Sequence, residues 1–372
     1  MIPNTNWKTR QEILKPLLTQ LEQTPQEPLW HAEGNVLNHT QMVCQALTDM
    51  EEFQKASQEV QQCLWLSALL HDIGKITTTR QEDGLWVSPG HGRVSAQIAR
   101  QLLWQTLCGS MDKLTLREAI CALIRFHTMP PHAITDADGI WKLRKAAAAG
   151  ELAPMFSIDR LCMLAQADIQ GRICQDQAQL LEKVQLCREL AQEAGCANAP
   201  FRFPSAHTEF AYFSGRAVPA EYELYDDSWG SIILMSGLPG TGKDTWIQNH
   251  YSHLPMLSLD EIRKQLGILP TEPQAPVIDA ARETAKELLR KKQSFVWNAT
   301  NLTYQTRSKQ VQFFSAYGAA TKIVYLETSW EQQLSRNAGR KDSVPEQAIC
   351  HMQRKLELPQ RWEASWVEWH CV

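Results

Sequence analysis

Ser231-Ile-Ile-Leu-Met-Ser-Gly237-Leu-Pro-Gly240-Thr241-Gly242-Lys243-Asp244-Thr245 is the stretch from which the fold is read. An apolar run of strand length enters a glycine-rich turn, and a lysine stands where a helix should begin. Gly237, Gly242 and Lys243 have the spacing of a loop that curls its backbone N–H groups around phosphates, the lysine reaching the outermost ones. The helix that follows adds the positive end of its dipole to the same anion. Asp244 departs from the pattern, because a Ser or Thr hydroxyl normally holds Mg²⁺ there, with Thr245 next in line. A carboxylate is also a hard oxygen ligand, so the cation can still be held directly or through water. The competing reading is a glycine-rich turn that binds nothing; spacing, strand context and lysine together weigh against it.

Outward from this loop, strand signals at Ile232–Ser236, Met256–Leu259, Phe295–Asn298 and Lys322–Glu327 alternate with helical patterns. That alternation predicts a parallel α/β sheet covered on both faces over 231–372. Residues 196–230 are rich in proline and aromatics without a period, and read as an ordered connector, since flexible linkers are Gly/Ser-rich. Residues 1–195 read as all-α. Helical periods fall at Ile13–Leu21, Asn38–Phe53, Ser95–Leu107, Leu116–Phe126, Trp141–Ala149 and Ile158–Ala194, the last the longest. The run Val60–Leu70 is apolar nearly all round and predicts a buried helix closed by Gly74. A short turn near Trp86-Val87 is the one strand-like feature. The expectation is thus two domains, all-α then α/β, around a connector.

The chain has 372 residues, ample for two cores. Its start is polar and no apolar run approaches membrane-spanning length, so neither a signal peptide nor a membrane partner is expected. Ten cysteines lie without CxxC pairs, which suits reduced thiols in a cytoplasm. Residues 231–372 carry 17 Lys and Arg against 14 Asp and Glu, a net of +3, while 1–230 carry 20 against 27, a net of −7. A duplex binder making many phosphate contacts usually shows more positive charge. A substrate gripped at one end remains compatible.

His71-Asp72 ends the buried helix, where polar groups are costly unless partnered. A divalent metal supplies such partners, and imidazole with carboxylate suits Mn, Fe, Co, Ni or Zn. His39, His91, His127 and Asp168 are the other candidates, each beside or within a helical segment; taken singly, any of them reads as an ordinary histidine or a solvated carboxylate. Taken together, the order His39, His71-Asp72, Asp168 resembles the HD phosphohydrolase superfamily. The contexts Trp30-His31-Ala-Glu33-Gly34-Asn-Val-Leu-Asn-His39-Thr40 and Ala68-Leu-Leu-His71-Asp72-Ile-Gly74-Lys75 look especially like the HD domain attached to tRNA CCA-adding enzymes. Gly90-His91-Gly and Arg125-Phe-His127 match the extra histidines of two-metal members. The resemblance covers about residues 28–175. It implies one metal on His39, His71, Asp72 and Asp168, with Asp72 bridging to a second on His91 and His127. Lys75 and Arg172 lie where a phosphate on those metals could be neutralised; plain surface charge competes closely for Lys75. His31 reads as a substrate contact or a structural turn residue, and His132 and His207 stay unassigned.

In the second half, Asp260 follows a strand, where ligand groups of an open parallel sheet project. It is the candidate base for an attacking hydroxyl, or else an N-cap. Arg263, one turn on, is the candidate acceptor clamp. Arg336 and Arg340, in Arg336-Asn-Ala-Gly339-Arg340-Lys341, read as a lid closing on phosphates. Asn298-Ala-Thr-Asn301 has a familiar look but receives no chemistry. This half resembles the polynucleotide 5′-kinase branch of phosphate-loop phosphotransferases, implying ATP with Mg²⁺ held by Gly237, Gly240, Thr241, Gly242, Lys243, Asp244, Thr245, Arg336 and Arg340.

An HD phosphohydrolase fused before such a kinase looks like the bacterial bifunctional end-healing proteins of RNA repair. The resemblance implies removal of a 2′,3′-cyclic or 2′/3′-phosphate and phosphorylation of a 5′-OH, on RNA with DNA left open, before a separate ligase. Two rivals remain: a small-molecule or nucleoside kinase fused to a nucleotide phosphohydrolase, and a nucleotide-gated regulator whose HD half only senses a ligand. The full ligand set and Asp260 weigh against the regulator. Oligomeric state is not legible.

Overall fold

The computed structural model describes residues 12–104, 106–340 and 342–372. Two compact units emerge from the packing: the described residues up to Leu107 with Asp112–Arg202, and Cys108–Met111 with Phe203–Val372.

The first unit is helical around one continuous core. Helix Val36–Asp49 starts under Asn35, whose side chain accepts from Asn38 N, and helix Ile158–Gln170 starts under Ser157 in the same way. Such caps satisfy N–H groups that a helix start leaves orphaned. Helix Gln58–Leu70, capped by Ser57, buries every residue from Cys63 to Leu70, as its all-round apolar sequence predicts. It ends at His71, and the chain turns through Gly74 into the short helix Lys75–Thr78.

Gly74, expected to close helix Gln58–Leu70, lies in the turn beyond its end at His71. Its φ is −69°, and an added Cβ would lie 2.5 Å from Ser95 N and 2.6 Å from His91 O. Glycine is there to let the turn press against helix His91–Trp104, which brings His91 beside Asp72. Gly171 plays the same part at the end of Ile158–Gln170, where a Cβ would meet Val43 at 2.6 Å. This close approach explains why the expected helix Ile158–Ala194 is two helices, Ile158–Gln170 and Gln177–Glu193. The intervening loop is pinned by Ala32 N donating to Ile173 O and Ile173 N donating to Glu33 Oε2, both at 3.0 Å. The expected helix Asn38–Phe53 likewise breaks at Met50, whose ψ of 130° is extended. The turn near Trp86 is a two-stranded antiparallel hairpin, β1 (Arg80–Glu82) and β2 (Leu85–Val87), with Asp83 and Gly84 at positive φ.

The second unit is built on a five-stranded, all-parallel sheet. Its strands are β3 (Ser231–Ser236), β4 (Met256–Ser258), β5 (Val296–Asn298), β6 (Ala320–Glu327) and β7 (Trp366–Cys371), in spatial order β4-β5-β3-β6-β7. Parallel register sets Leu234 beside both Trp297 and Ile323. β3 to β6 match the four expected strands, while β7 was not anticipated: it is an edge strand of only six residues holding Glu368 and His370. The proline-rich 196–230 stretch also holds an unexpected helix, Ala206–Phe213, capped by Ser205. The glycine-rich loop leaves β3 in mid-sheet, with β5 and β4 on one side of it and β6 and β7 on the other. Open α/β sheets bind ligands at that switch point. Among the described residues, no helix is long and apolar enough to cross a membrane.

Candidate functional site

In the helical unit, six side chains from five segments converge. His39 comes from helix Val36–Asp49, His71 and Asp72 from the end of Gln58–Leu70, His91 from the start of its helix, His127 from just beyond Met111–Phe126, and Asp168 from Ile158–Gln170. All but His91 are fully buried. Asp72 faces two histidine pairs. Its Oδ2 lies 3.3 Å from His71 Nε2 and 3.5 Å from His39 Nε2, and its Oδ1 lies 3.3 Å from His91 Nε2 and 3.7 Å from His127 Nε2. Asp168 Oδ1 closes the first set at 3.0 Å from His39 Nε2.

Three of the outward nitrogens donate to backbone carbonyls. His71 Nδ1 donates to Ala68 O at 2.8 Å, His91 Nδ1 to Ser88 O at 2.8 Å, and His127 Nδ1 to Ile124 O at 2.7 Å. His39 Nδ1 lies 2.9 Å from Glu33 Oε1. Each ring therefore presents an Nε2 lone pair inward, yet Nε2 atoms sit only 3.3 Å apart between His39 and His71 and 3.2 Å apart between His91 and His127. Facing lone pairs repel unless a cation lies between them. Ligands held about 2.0–2.2 Å from one metal come within roughly 3.0–3.5 Å of each other, as these atoms do. Asp72 Oδ1, buried without a hydrogen-bond partner, is a further atom that a cation would satisfy. The buried cluster fits divalent metal, and Asp72 belongs to both histidine groups, with His39 and His71 and with His91 and His127. Burial opposes charge on both carboxylates. It is outweighed at Asp72 by His71 and Lys75, and at Asp168 by Arg172 and His39, so both stay well below the usual carboxylate range. Burial pushes His127 down to about 3, keeping the ring neutral as a ligand must be.

Lys75 is no surface charge. It is 7% exposed, with Nζ 2.8 Å from Asp72 Oδ2 and donating to Gln26 Oε1 at 2.7 Å. Arg172 grips both oxygens of Asp168, its Nε at 3.2 Å. Glu33 was quoted in the motif but given no chemistry. It accepts from His31 Nδ1 at 2.7 Å, faces His39 Nδ1, and accepts from Ile173 N. One carboxylate thus orients a ligand histidine and anchors the residue after Arg172. Its partner His31 is a turn residue directed into the protein. His132 lines a cavity beside the cluster, and His207 lies 3.5 Å from Asp226.

In the α/β unit, Gly237, Gly240 and Gly242 all have positive φ, at 144°, 82° and 88°. A Cβ on Gly237 would come 2.5 Å from Leu326 O, and one on Gly240 2.7 Å from Gln333 O, so the loop can lie this tightly on its neighbours only with glycine. Lys243 Nζ donates to Gly237 O and Leu238 O, each at 2.9 Å, which holds the ammonium across the mouth of the loop. Burial pushes it down to about 8, while Asp244 and Asp260 act in the opposite direction. Thr241 is buried and donates to Leu238 O at 2.9 Å, so its hydroxyl braces the loop from within. Asp244 and Thr245 are exposed at the helix start, and Asn298 Nδ2, at the end of β5, donates to Asp244 Oδ1 at 2.7 Å.

Asp260 sits in the first turn of helix Leu259–Gln265, exposed and paired with Arg263, which also donates to Gln274 Oε1 at 2.7 Å. The N-cap is Ser258, whose side chain accepts from Glu261 N, so Asp260 does not have the capping role that competed for it. Arg336 Nη1 lies 3.6 Å from where a Gly242 Cβ would stand, and Arg340 acts electrostatically on Lys243. Lys341 lies outside the described residues. Gln333 Nε2 donates to Pro239 O at 3.1 Å, tying the helix that carries Arg336 to the loop. Asn298 and Gln333 received no assigned chemistry from the sequence.

The family model of the HD domain matches residues 36–164, and that of an AAA domain matches 232–359. The chain joins an HD domain to a phosphate-loop AAA domain. No curated protein matches it. The HD match spans His39, His71, Asp72, His91 and His127 but ends before Asp168. The AAA match spans the glycine-rich loop, Asp260, Asn298, Arg336 and Arg340 and ends before β7. An HD phosphohydrolase unit and a kinase-like unit therefore share one chain.

Proposed function

We propose that the protein heals broken nucleic-acid ends, the HD domain removing a 2′,3′-cyclic or 2′/3′-phosphate and the AAA domain phosphorylating a 5′-OH with ATP. The observation that carries this reading is a buried His/Asp cluster fit for divalent metal together with a lysine-bearing phosphate loop and the Asp260–Arg263 pair on the same chain.

In the HD domain, two divalent cations, when bound, supply Lewis-acid polarisation of phosphoryl oxygens and make water at the site easier to deprotonate. His39, His71, Asp72 and Asp168 would hold one, and Asp72, His91 and His127 the other. Lys75 contacts Asp72 and Arg172 contacts Asp168, and turning from them the two side chains neutralise the non-bridging oxygens of an incoming phosphate.

In the AAA domain, Asp260 accepts the proton of the attacking hydroxyl while its oxygen bonds to the γ-phosphorus and ADP leaves. Lys243, Arg336 and Arg340 offset the charge that gathers on the phosphates. Asp244, whose Oδ1 accepts from Asn298 Nδ2, would hold Mg²⁺ through its carboxylate. Arg263 clamps the acceptor's nearest backbone phosphate. Oligonucleotide and free nucleoside competing for phosphate from ATP test this: the oligonucleotide should win, and Asp260→Asn should cost about a hundredfold or more in kcat. Equal use of free nucleosides would instead make the AAA domain a small-molecule kinase.

A further inference from the structure

Beside the metal-ligand cluster lies a cavity of about 170 Å³ lined by Trp30, His127, His132, Asp168, Arg172 and Leu180, among others. It thus joins two ligand residues and the Arg172 guanidinium to one large aromatic ring, since Trp30 is the only Phe, Tyr or Trp in the lining. That indole is 43% exposed and so is not there to fill the core. Its backbone is nonetheless fixed. Trp30 N donates to Glu27 O at 3.0 Å, His31 N to the same oxygen at 2.9 Å, and Trp86 N to Glu27 Oε2 at 3.0 Å. An exposed aromatic on a rigid turn, at a cavity whose other side is built for phosphate, marks a binding surface rather than packing. The volume falls below the ~300 Å³ at which drug-sized pockets begin, so the cavity takes one unit of a substrate and not a run of them.

We propose that Trp30 is the nucleobase platform of the HD domain: the base of the nucleotide whose phosphate reaches Asp72, Asp168 and Arg172 stacks on the indole. This rests on the end-healing reading of the HD domain and narrows it to a terminal nucleotide held by its base as well as its phosphate. Every base has a π-face, so the platform accepts all four with little sequence preference.

The test compares two probes, adenosine 2′-monophosphate and glycerol 2-phosphate, which share a phosphomonoester and differ in the base. Their affinities are measured by calorimetry with Mn²⁺ on the full chain, its Trp30→Ala variant and its Trp30→Phe variant. Nucleotide binding at the phosphate loop is common to all three proteins and drops out of the comparison. The preference for the nucleotide should fall about tenfold in Trp30→Ala and be largely restored in Trp30→Phe. An unchanged preference in Trp30→Ala, or parallel weakening of both probes, would overturn the platform. A wild-type protein that prefers the nucleotide but releases no phosphate from it keeps the platform and removes the end-healing reading. Phosphate release without any preference does the reverse.

Discussion

Asn298 donates its Nδ2–H to Asp244 Oδ1 at 2.7 Å, joining residues 54 apart in sequence at the end of β5 and the start of the loop helix. The bond leaves one carboxylate oxygen directed away from Asn298. If that oxygen holds Mg²⁺, Asp244→Ser should keep appreciable kinase activity and Asp244→Ala should lose most of it. Asn298→Ala should fall between, with a raised requirement for Mg²⁺. Equal rates at all Mg²⁺ concentrations would reduce Asp244 to a helix-start residue favoured by the dipole.

Glu33 should matter to metal and not to chemistry elsewhere in the chain. It faces His39 Nδ1 and so fixes which nitrogen points inward. Loss of such an outer partner typically weakens metal binding ten- to a hundredfold. Equilibrium dialysis against Mn²⁺ should show Glu33→Ala retaining less metal by about that factor, with 5′-phosphorylation as the folding control. Wild-type retention would leave Glu33 as a loop anchor only.

A second buried network adds to the acid sensitivity of the helical unit. Burial raises the Glu118 carboxyl, but Arg100 and Arg117 outweigh it and hold the group down to about 2, below its ordinary 4.5. Arg100 Nη2 lies 2.7 Å from it and Arg117 Nε 2.8 Å. A folded value below the unfolded one gives stability that is present above about pH 4.5 and lost as pH falls from there toward 2. Urea titrations should show wild-type stability falling through this window, and Glu118→Gln should already be about 3 kcal/mol less stable at neutral pH, with a flatter acid slope. A variant that matches wild type at pH 7 would contradict this.

Much of this was legible because it follows from local pattern. The strand-glycine-lysine run at Ser231–Lys243 places its own loop, and the nearly all-round apolar Val60–Leu70 run reads as a buried helix, which it is, though it ends at His71 rather than Gly74. What escaped depends on distant partners. Gly171 breaks a helical period because Val43, far away in sequence, lies against it. Arg307, to which the sequence alone assigns nothing, is fully buried and forks onto Glu363 at 2.6 and 2.9 Å. β7 has only an edge position and a polar face, so nothing in Trp366–Cys371 announces it. Glu33 and Asn298 were within motifs already quoted, but only their contacts show which side chains they hold.

The central claim is that one chain carries two independent end chemistries. A short RNA with a 5′-OH and a 2′,3′-cyclic phosphate, incubated with ATP, Mg²⁺ and Mn²⁺, tests it most directly, with both ends analysed for the wild type, Asp72→Ala and Lys243→Ala. The wild type should lose the 3′-end phosphate and gain a 5′-phosphate. Asp72→Ala should abolish the first change while leaving the second, and Lys243→Ala should do the opposite. An RNA unchanged at both ends, or an Asp72→Ala protein that still clears the 3′ end at the wild-type rate, would contradict the account.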